Sequence, residues 1–119
     1  MIEIQISKPI KSRNYYDSNH WSKKHKDRKE FEQQVAMALL EKYTYKERQG
    51  AQKRVKRQVT IHSQRSRTLD YTNLVGGCKV LEDSLVALGL IVDDRPEWVF
   101  DLKVTQAKGK PYFTKIIIE

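Results

Sequence analysis

Residues 73–88, NLVGGCKVLEDSLVAL, contain the pattern that decides the fold class. Their apolar positions 74, 78, 81, 85 and 88 are four, three, four and three residues apart. In a helix with about 3.6 residues per turn this spacing places the side chains on one face, which predicts an amphipathic helix over the whole segment. Gly89 follows directly and predicts the end of that helix.

Strands are predicted on both sides of this helix. Apolar and polar side chains alternate at residues 2–6, at residues 55–63, and again from Trp98 onward at residues 98–104. Such alternation is typical of a strand with one buried face. Residues 108–111, KGKP, predict a hairpin turn, with residues 112–118 as the partner strand.

A second amphipathic helix is predicted at residues 21–46, after a polar loop. Its apolar side chains recur at helical spacing, at Phe31, Val35, Leu39, Leu40 and Tyr43. Ser18 or Ser22 is expected to cap its start, and Gly50 to break it. The order β-α-β-α-β-β predicts a single α+β domain over residues 1–119, with helices packed on a mixed sheet.

The composition indicates a globular protein inside the cell. Hydrophobic residues make up 39% of the 119 residues and charged residues 32%. No run approaches the roughly 18 apolar residues of a membrane span, and residues 1–11 lack the pattern of a signal peptide. A cytoplasmic location without membrane contact is therefore expected. The single cysteine, Cys78, lies among aliphatic residues and is predicted to be part of the core.

Charge is divided unevenly along the chain, whose formal net charge is +8. Residues 42–67 hold nine Lys or Arg against one acidic residue, whereas residues 68–101 hold two basic residues against seven acidic ones. Excess positive charge attracts phosphate backbones, which predicts nucleic acid as a partner. A basic protein that is merely soluble is the alternative.

Three aspartates flank the helix at residues 73–88. Asp70 precedes it, and Asp93 and Asp94 follow it. Carboxylates hold Mg²⁺, which promotes phosphodiester cleavage. A helix of sixteen residues spans roughly 24 Å, so the two acidic sites meet only if residues 90–94 run back beside it. The alternatives are a helix N-cap for Asp70 and an ordinary acidic turn for the pair.

Four residues near the start of the helix strengthen the chemical interpretation. Asn73 is a candidate to hold a carboxylate or a metal-bound water, and Lys79 to contact the scissile phosphate. Gly76 and Gly77 cost roughly 1 kcal/mol each relative to alanine inside a helix. That cost predicts close approach of a phosphate backbone or of another helix.

The acidic segment carries a family resemblance. Its residues are 69–74 (LDYTNL), Lys79, residues 83–85 (DSL), Gly89 and residues 93–94 (DD). They resemble the RusA family of Holliday-junction resolvases, which has a D-x-D-N-L segment, a lysine, a D-A-L stretch, a glycine and an acidic pair at matching distances. Lys79 lies three residues farther from Asn73 than in the best-known member. The opening strand with Pro9, Ser12, Asn14 and Tyr15-Tyr16 is similar to the family's first strand and loop, so the resemblance covers most of the chain.

The resemblance implies a function in DNA recombination and repair. It implies a RusA-like fold, a homodimer holding a four-way DNA junction, and paired symmetric nicks that need Mg²⁺, with Mn²⁺ as a substitute. Such proteins are typically encoded by phages or prophages. By position, Asp70 and Asp94 correspond to metal-binding catalytic carboxylates, Asp93 lies next to that site, and Lys79 corresponds to the catalytic or phosphate-contacting lysine.

One departure concerns Thr72, which stands where the family has its second aspartate. A hydroxyl group can bind Mg²⁺ or a water molecule but brings no negative charge, so metal affinity is expected to fall. Glu82 or Asp83 is a candidate to compensate. Two other hypotheses remain: a catalytically weakened protein that only binds branched DNA, and a small basic protein directed at RNA.

The DNA-binding surface is expected to combine polar, aromatic and basic side chains. Its candidates are Asn14, Tyr15, Lys23, Lys24, Lys53, Arg54, Lys56, Arg57, Arg65, Arg67 and Asn73. Tyr15, Tyr16 and Trp21 either stack on unpaired bases or anchor a loop to the sheet. His20 and His25 are expected to face solvent or phosphate, and Trp98 and Phe100 to lie in the core. Leu88, Ile91 and the Gly76-Gly77 face are candidates for a dimer surface.

Overall fold

The computed structural model describes residues 1–52 and 54–119, with the exception of the Phe100 side chain. The predictions for Lys53 and for the Phe100 side chain therefore lie outside the described residues. The elements within this part of the chain are β1 (Ile2–Ile6), α1 (Arg13–Ser18), α2 (Trp21–Lys42), α3 (Tyr45–Ala51), β2 (Arg57–Arg65), α4 (Tyr71–Ala87), β3 (Val99–Lys108) and β4 (Phe113–Ile118).

The strands form one mixed sheet in the order β1-β4-β2-β3. β4 is antiparallel to both β1 and β2, whereas β2 and β3 are parallel. The parallel pair is joined through α4, as parallel strands require a crossover connection. The predicted α+β class and mixed sheet are confirmed.

The predicted hairpin between the last two strands is wrong, because β2 lies between β3 and β4. Residues 109–112 carry the chain past the end of β2. The sequence of each strand explains the arrangement. Ile116, Ile117 and Ile118 suit a strand with neighbours on both sides, while exposed Lys103 and Thr105 of β3 suit the edge of a sheet.

The core lies between the helices and one face of the sheet. Ile4 and Ile61 flank Ile116 across three neighbouring strands, and all three side chains are buried. From α4 the predicted apolar face contributes Leu74, Cys78, Leu81 and Leu85, each 0–1% exposed. The core position of Cys78 is confirmed, and burial raises the pKa of its thiol to about 12.

The first predicted helix is divided into two. α2 ends at Lys42, and α3 begins at a capping box in which Thr44 and Glu47 exchange side-chain and backbone hydrogen bonds of 3.2 and 2.9 Å. Gly50 therefore lies inside α3 and does not end α2. The N-cap of α2 is His20, not Ser18 or Ser22.

A short helix, α1, occupies part of the predicted polar loop. The Ser12 hydroxyl caps it by accepting a hydrogen bond from the Tyr15 amide at 3.0 Å. α1 and the residues before it pack against α4 at its two glycines, Gly76 and Gly77, which have no side chains. A Cβ on Gly77 would lie 1.8 Å from the Lys11 carbonyl oxygen, and one on Gly76 would lie 2.7 Å from Arg13 Cδ. The two glycines thus admit a segment of their own chain.

The dimer candidates are mostly covered by this packing. The Gly77 position faces Lys11, and Ile91 is only 2% exposed. Leu88 is half-buried. Of the three candidates, Leu88 alone offers exposed side-chain surface.

A buried ion cluster fastens the segment after β1 to α2. Asp27 is 3% exposed and accepts hydrogen bonds from Lys8 at 3.0 Å and from the Tyr16 hydroxyl at 2.9 Å, and it pairs with Lys11 at 3.2 Å. Burial opposes the ionised form of Asp27, but these hydrogen bonds outweigh it and lower the pKa of the carboxyl group. The cluster holds Lys11 and Tyr16 in place.

In the part of the chain that the structure describes, every helix is too short or too polar to cross a membrane.

Candidate functional site

Lys79 forms the centre of an acidic cluster on the exposed side of α4. Its ammonium group pairs with Asp83 at 3.1 Å, one helical turn along, and with Asp94. Asp94 arrives from the loop after Gly89, whose residues Leu90 and Ile91 are buried. The loop therefore runs back beside α4, as the metal-site hypothesis requires, and brings Asp94 to the middle of the helix.

The cluster raises two pKa values. The shift favours the charged form of one group and the neutral form of the other. Burial disfavours the ammonium form of Lys79, but hydrogen bonds to Asp94 and Asp83 outweigh it and raise the pKa of Lys79. Burial raises the pKa of Glu82 to about 7, and the neighbouring Asp94 charge acts in the same direction. The cluster thus combines a firmly charged lysine with a carboxyl group that can hold a proton near neutral pH.

Asp70 belongs to a separate arrangement at the start of α4. It is the N-cap, and it accepts hydrogen bonds from the Asn73 amide at 3.0 Å and from Asn73 Nδ2 at 2.7 Å. These bonds lower the pKa of Asp70. Asn73 Oδ1 in turn accepts from the Asn14 amide at 3.1 Å. The structure thus brings together Asp70, which the sequence analysis assigned to metal binding, and Asn73 and Asn14, which it assigned to DNA binding.

Asp70 and Asp94 meet α4 at different positions, because Asp70 caps its start and Asp94 pairs with Lys79. Asp70 precedes Lys79 by nine residues, which is roughly 14 Å along a helix axis. Across residues 1–52 and 54–119, no three His, Cys, Asp or Glu side chains are grouped so that they could hold a metal ion. The N-cap interpretation of Asp70 is confirmed, and a metal site shared by Asp70 and Asp94 stays a prediction.

Asp93 and Thr72 flank these two groups. Asp93 accepts hydrogen bonds from the Asp94 amide at 2.7 Å and from Arg95 Nε at 2.9 Å, and hydrogen bonding with Asp94 and Arg95 lowers its pKa. This is the acidic turn that the sequence offered as an alternative. Thr72 is exposed in the first turn of α4 and precedes Lys79 by seven residues, so both lie on the same side of the helix, two turns apart.

The carboxylates of the cluster are of the chemical kind that binds Mg²⁺, although they are few in number. Mg²⁺ is bound in many sites by one or two carboxylates together with waters and substrate phosphates, without a complete protein cage. Asp83 and Asp94 supply two such carboxylates on either side of one cation, the Lys79 ammonium group. The residues thus suit a metal that binds together with a phosphate.

The basic start of α2 borders the same cluster. Trp21, Lys24, His25 and Arg28 line a shallow cavity of about 200 Å³ with Val80 and Asp83 of α4. Trp21 is 71% exposed, so its indole ring is free to contact a ligand. Aromatic and cationic groups here lie next to the Asp83 carboxylate of the cluster.

The remaining DNA-binding candidates divide by exposure. The exposed ones are Asn14, Lys23, Lys24, Arg54, Lys56 and Arg67. Arg57 is a wrong prediction, because its side chain is buried and Nη2 donates to the Ala51 carbonyl at 2.8 Å. Its position explains this, since Arg57 alternates in register with the core residues Val59 and Ile61. Arg65 is half-buried and donates to the Ile10 carbonyl at 2.7 Å.

The aromatic candidates also differ in how exposed they are. Tyr16 is 7% exposed and hydrogen-bonds to Asp27, so it anchors its segment. Tyr15 is half-buried, with the Lys11 ammonium group 4.4 Å from its ring centroid. Trp98 is half-buried too, and the Arg54 guanidinium lies 5.7 Å from its ring, so Trp98 contacts a basic surface residue and is not fully enclosed in the core.

Sequence reasoning gave Glu82 and Asp83 only a secondary part, although both belong to the cluster. The sequence contained a signal for this cluster, because Glu82 and Asp83 follow Lys79 by three and four residues. Side chains at these spacings are neighbours on a helix. Asp27 was missed altogether. It lies four residues before Phe31, on the buried face of α2.

A scan against protein-family models found no match. A search of curated proteins also found no match.

Proposed function

We propose that the protein is a RusA-like, Mg²⁺-dependent endonuclease that resolves four-way DNA junctions in recombination or repair. The observation that carries this proposal is the pairing of Lys79 with Asp94 beside the cationic start of α2. These are the lysine and the aspartate that the family resemblance selects, and they come from separate elements. Paired nicks in two strands require two active sites, so the active form is a homodimer.

The residues have distinct proposed roles. Asp94 and Asp83 would hold Mg²⁺, which when bound would activate a water molecule and offset negative charge on the phosphate. Lys79, freed from its carboxylates, would contact the scissile phosphate. Mn²⁺ would replace Mg²⁺ because both accept oxygen ligands. Asp70 would remain ionised at the start of α4 and, through Asn73, hold the Asn14 segment against the DNA.

The test is cleavage of a labelled four-way junction and of matching linear duplex, with Mg²⁺ or with EDTA. The wild-type protein is expected to nick the junction symmetrically with Mg²⁺ and to leave the duplex intact. Asp94→Asn should reduce cleavage by at least about a hundredfold while junction binding survives, because the change removes charge from the reacting centre alone. Asp17→Asn, an exposed aspartate on α1, is the matched control and should cut normally.

Three outcomes would contradict parts of the proposal. Normal cutting by Asp94→Asn would show that the Lys79 cluster is not the active centre. Normal cutting by Asp70→Asn as well would exclude a catalytic role for the other carboxylate that the resemblance implies. Undiminished cleavage in EDTA would exclude the proposed metal.

A second candidate function is binding of branched DNA without cleavage. It is favoured by the lack of a three-donor metal group in the described residues and by the uncharged Thr72. Thr72→Asp would place a carboxylate two turns from Lys79 on the same side of α4. If the wild-type protein binds junctions without cutting them, this variant is expected to acquire Mg²⁺-dependent cleavage; no gain would count against a site disabled only at Thr72.

A further inference from the structure

A cleft separate from the Lys79 cluster opens between the segment after β1 and the far end of β2. Its volume is about 510 Å³, within the range of about 300–1,000 Å³ that small-molecule sites occupy. The walls come from residues 7–15, residues 64–66, Leu69 and Tyr112. Three distant parts of the chain thus meet around one space.

The walls of the cleft are aromatic and aliphatic. Tyr15 and Tyr112 contribute rings, while Pro9, Ile10 and Leu69 contribute aliphatic surface. Tyr15 is held rigidly, with one face covered by Lys11 and its ring 5.4 Å from that of Tyr16 in an edge arrangement. Tyr112 is 46% exposed, which leaves ring surface for a flat ligand.

Positive charge lies at the cleft without an acidic partner. The Arg65 guanidinium donates to the carbonyl oxygens of Ile10 and Arg67 at 2.7 Å and forms no ion pair with any residue from 1–52 or 54–119. Its charge is therefore uncompensated locally. Arg67 and Lys110 are exposed beside the lining residues Ser66 and Tyr112. A ligand with a flat ring and an attached anionic group matches these surroundings.

The cleft adjoins the start of α4. Leu69 lines it and directly precedes Asp70, and both backbone groups of Leu69 are bound by the Gln106 side chain, at 2.9 Å through its amide and 2.6 Å through its carbonyl. A ligand in the cleft would therefore sit beside the Asp70, Asn73 and Asn14 arrangement. This contiguity places the cleft next to Asn14 and Asn73, two of the residues proposed to meet DNA.

We infer that this cleft receives one unpaired nucleobase of the DNA, stacked on Tyr112, with the adjoining phosphate near Arg65 and Arg67. This inference rests on the proposed function, because it presumes a DNA ligand, and it adds a recognition element for branch points. Unpaired bases are exposed where strands exchange, and stacking on an aromatic ring accepts any base. Fully paired DNA offers no free base, so the cleft favours distorted over continuous duplex.

The test compares a labelled duplex carrying one bulged adenine with the same duplex fully paired. Tyr112→Ala should weaken binding of the bulged duplex about tenfold and leave the paired duplex within about twofold, because stacking is lost while the basic surface stays. Tyr112→Phe keeps the ring and should bind as the wild-type protein does. Tyr45→Ala removes an exposed tyrosine from α3, away from the cleft, and is the matched control.

The readouts separate the inference from the proposed function. With 2-aminopurine at the bulge, the wild-type protein and Tyr112→Phe should change its fluorescence on binding, and Tyr112→Ala should not. Equal binding of both duplexes by the wild-type protein and Tyr112→Ala would overturn the cleft while the nuclease proposal stands. Failure of the wild-type protein to bind either duplex or a junction would overturn both.

Discussion

Gly77 shows how one residue without a side chain allows two segments to meet. The Lys11 carbonyl oxygen occupies the place of its missing Cβ, at 1.8 Å. Gly77→Ala should therefore lower the free energy of unfolding by about 2 kcal/mol or more, in spite of the better helix propensity of alanine. Gly50→Ala is the control, since nothing lies within 4 Å of that site, and it should raise stability by about 0.5–1 kcal/mol.

Urea unfolding of the two glycine variants measures this difference directly. Because both residues lie inside helices, propensity alone would stabilise both variants equally. Equal stabilisation would therefore contradict the close approach of the Lys11 backbone to α4.

Glu82 is the residue whose ionisation should be visible near neutral pH. Its pKa is raised by burial from 4.5 to about 7, so the folded state holds the proton more tightly than the unfolded chain does. The stability that this proton contributes is fully present below about pH 4.5 and is lost as pH rises through about 7. Glu82→Gln should thus be more stable than the wild-type protein at mildly alkaline pH, with the difference shrinking toward acid pH. Parallel profiles of unfolding free energy against pH would show that Glu82 titrates alike in both states.

Among the elements, α2 and the segment after β1 depend on the buried Asp27 cluster. Asp27→Asn would leave the Lys8 ammonium group without its buried partner, because Lys8 is itself only 8% exposed. The expected loss is about 3 kcal/mol of unfolding free energy, the range for one broken partner of a buried pair. Glu30→Gln removes the more exposed partner of Lys8 and should cost less than about 1 kcal/mol.

Chemical denaturation near neutral pH checks the Asp27 prediction, and its pH dependence gives a second test. The lowered pKa of Asp27 means that its contribution is present above the unfolded value of 3.8 and is lost as pH falls through the folded one. The wild-type protein should lose stability in this acid range more steeply than Asp27→Asn. Costs of similar size for Asp27→Asn and Glu30→Gln would mean that burial does not distinguish the two carboxylates.

The strands that pair with β3 and β4 could not be predicted from the residues next to them in sequence. The glycine-containing turn at residues 108–111 favoured a hairpin, since short loops most often join adjacent antiparallel strands. A loop of four residues can also pass one strand, because strands lie only about 4.8 Å apart. The wholly apolar end of β4 gains more from a central position than β3 does, and this decides the order.

At the scale of the whole molecule, the basic start of α2 lies beside the carboxylates on the exposed side of α4, and the proposed function requires this basic surface to contact DNA. Lys23 and Lys24 are exposed at the start of α2, beside the cavity that reaches Asp83. Replacing both by alanine should weaken junction binding and reduce the slope of log affinity against log salt by about two, as two phosphate contacts are lost. Lys29→Ala on the same helix is the control, because Lys29 pairs with Glu32 at 3.8 Å.

Fluorescence anisotropy at several salt concentrations gives these slopes. The control variant should keep the wild-type slope. If the double variant keeps it too, the DNA does not lie along the start of α2, and the basic segment after α3 would have to supply the phosphate contacts.

Local patterns in the sequence were enough for the fold class, for α4 with its cap and stop, and for the core position of Cys78. Each depends on neighbours within about one turn or on strict alternation, which the chain specifies directly. The family resemblance, not local spacing, assigned Lys79 and Asp94 to one site. The reasoning from charge listed Arg57 for DNA although its alternation with Val59 placed it on the buried face.

Only the tertiary structure decided what lies opposite each residue. It inserted β2 between β3 and β4, placed the Lys11 backbone against Gly77, buried Asp27 among cations, and paired Asp94 with Lys79. It also assembled the tyrosine cleft from three distant segments. The physical reason is shared: these relations depend on competition among buried surfaces far apart in sequence, and no local spacing records which of them wins.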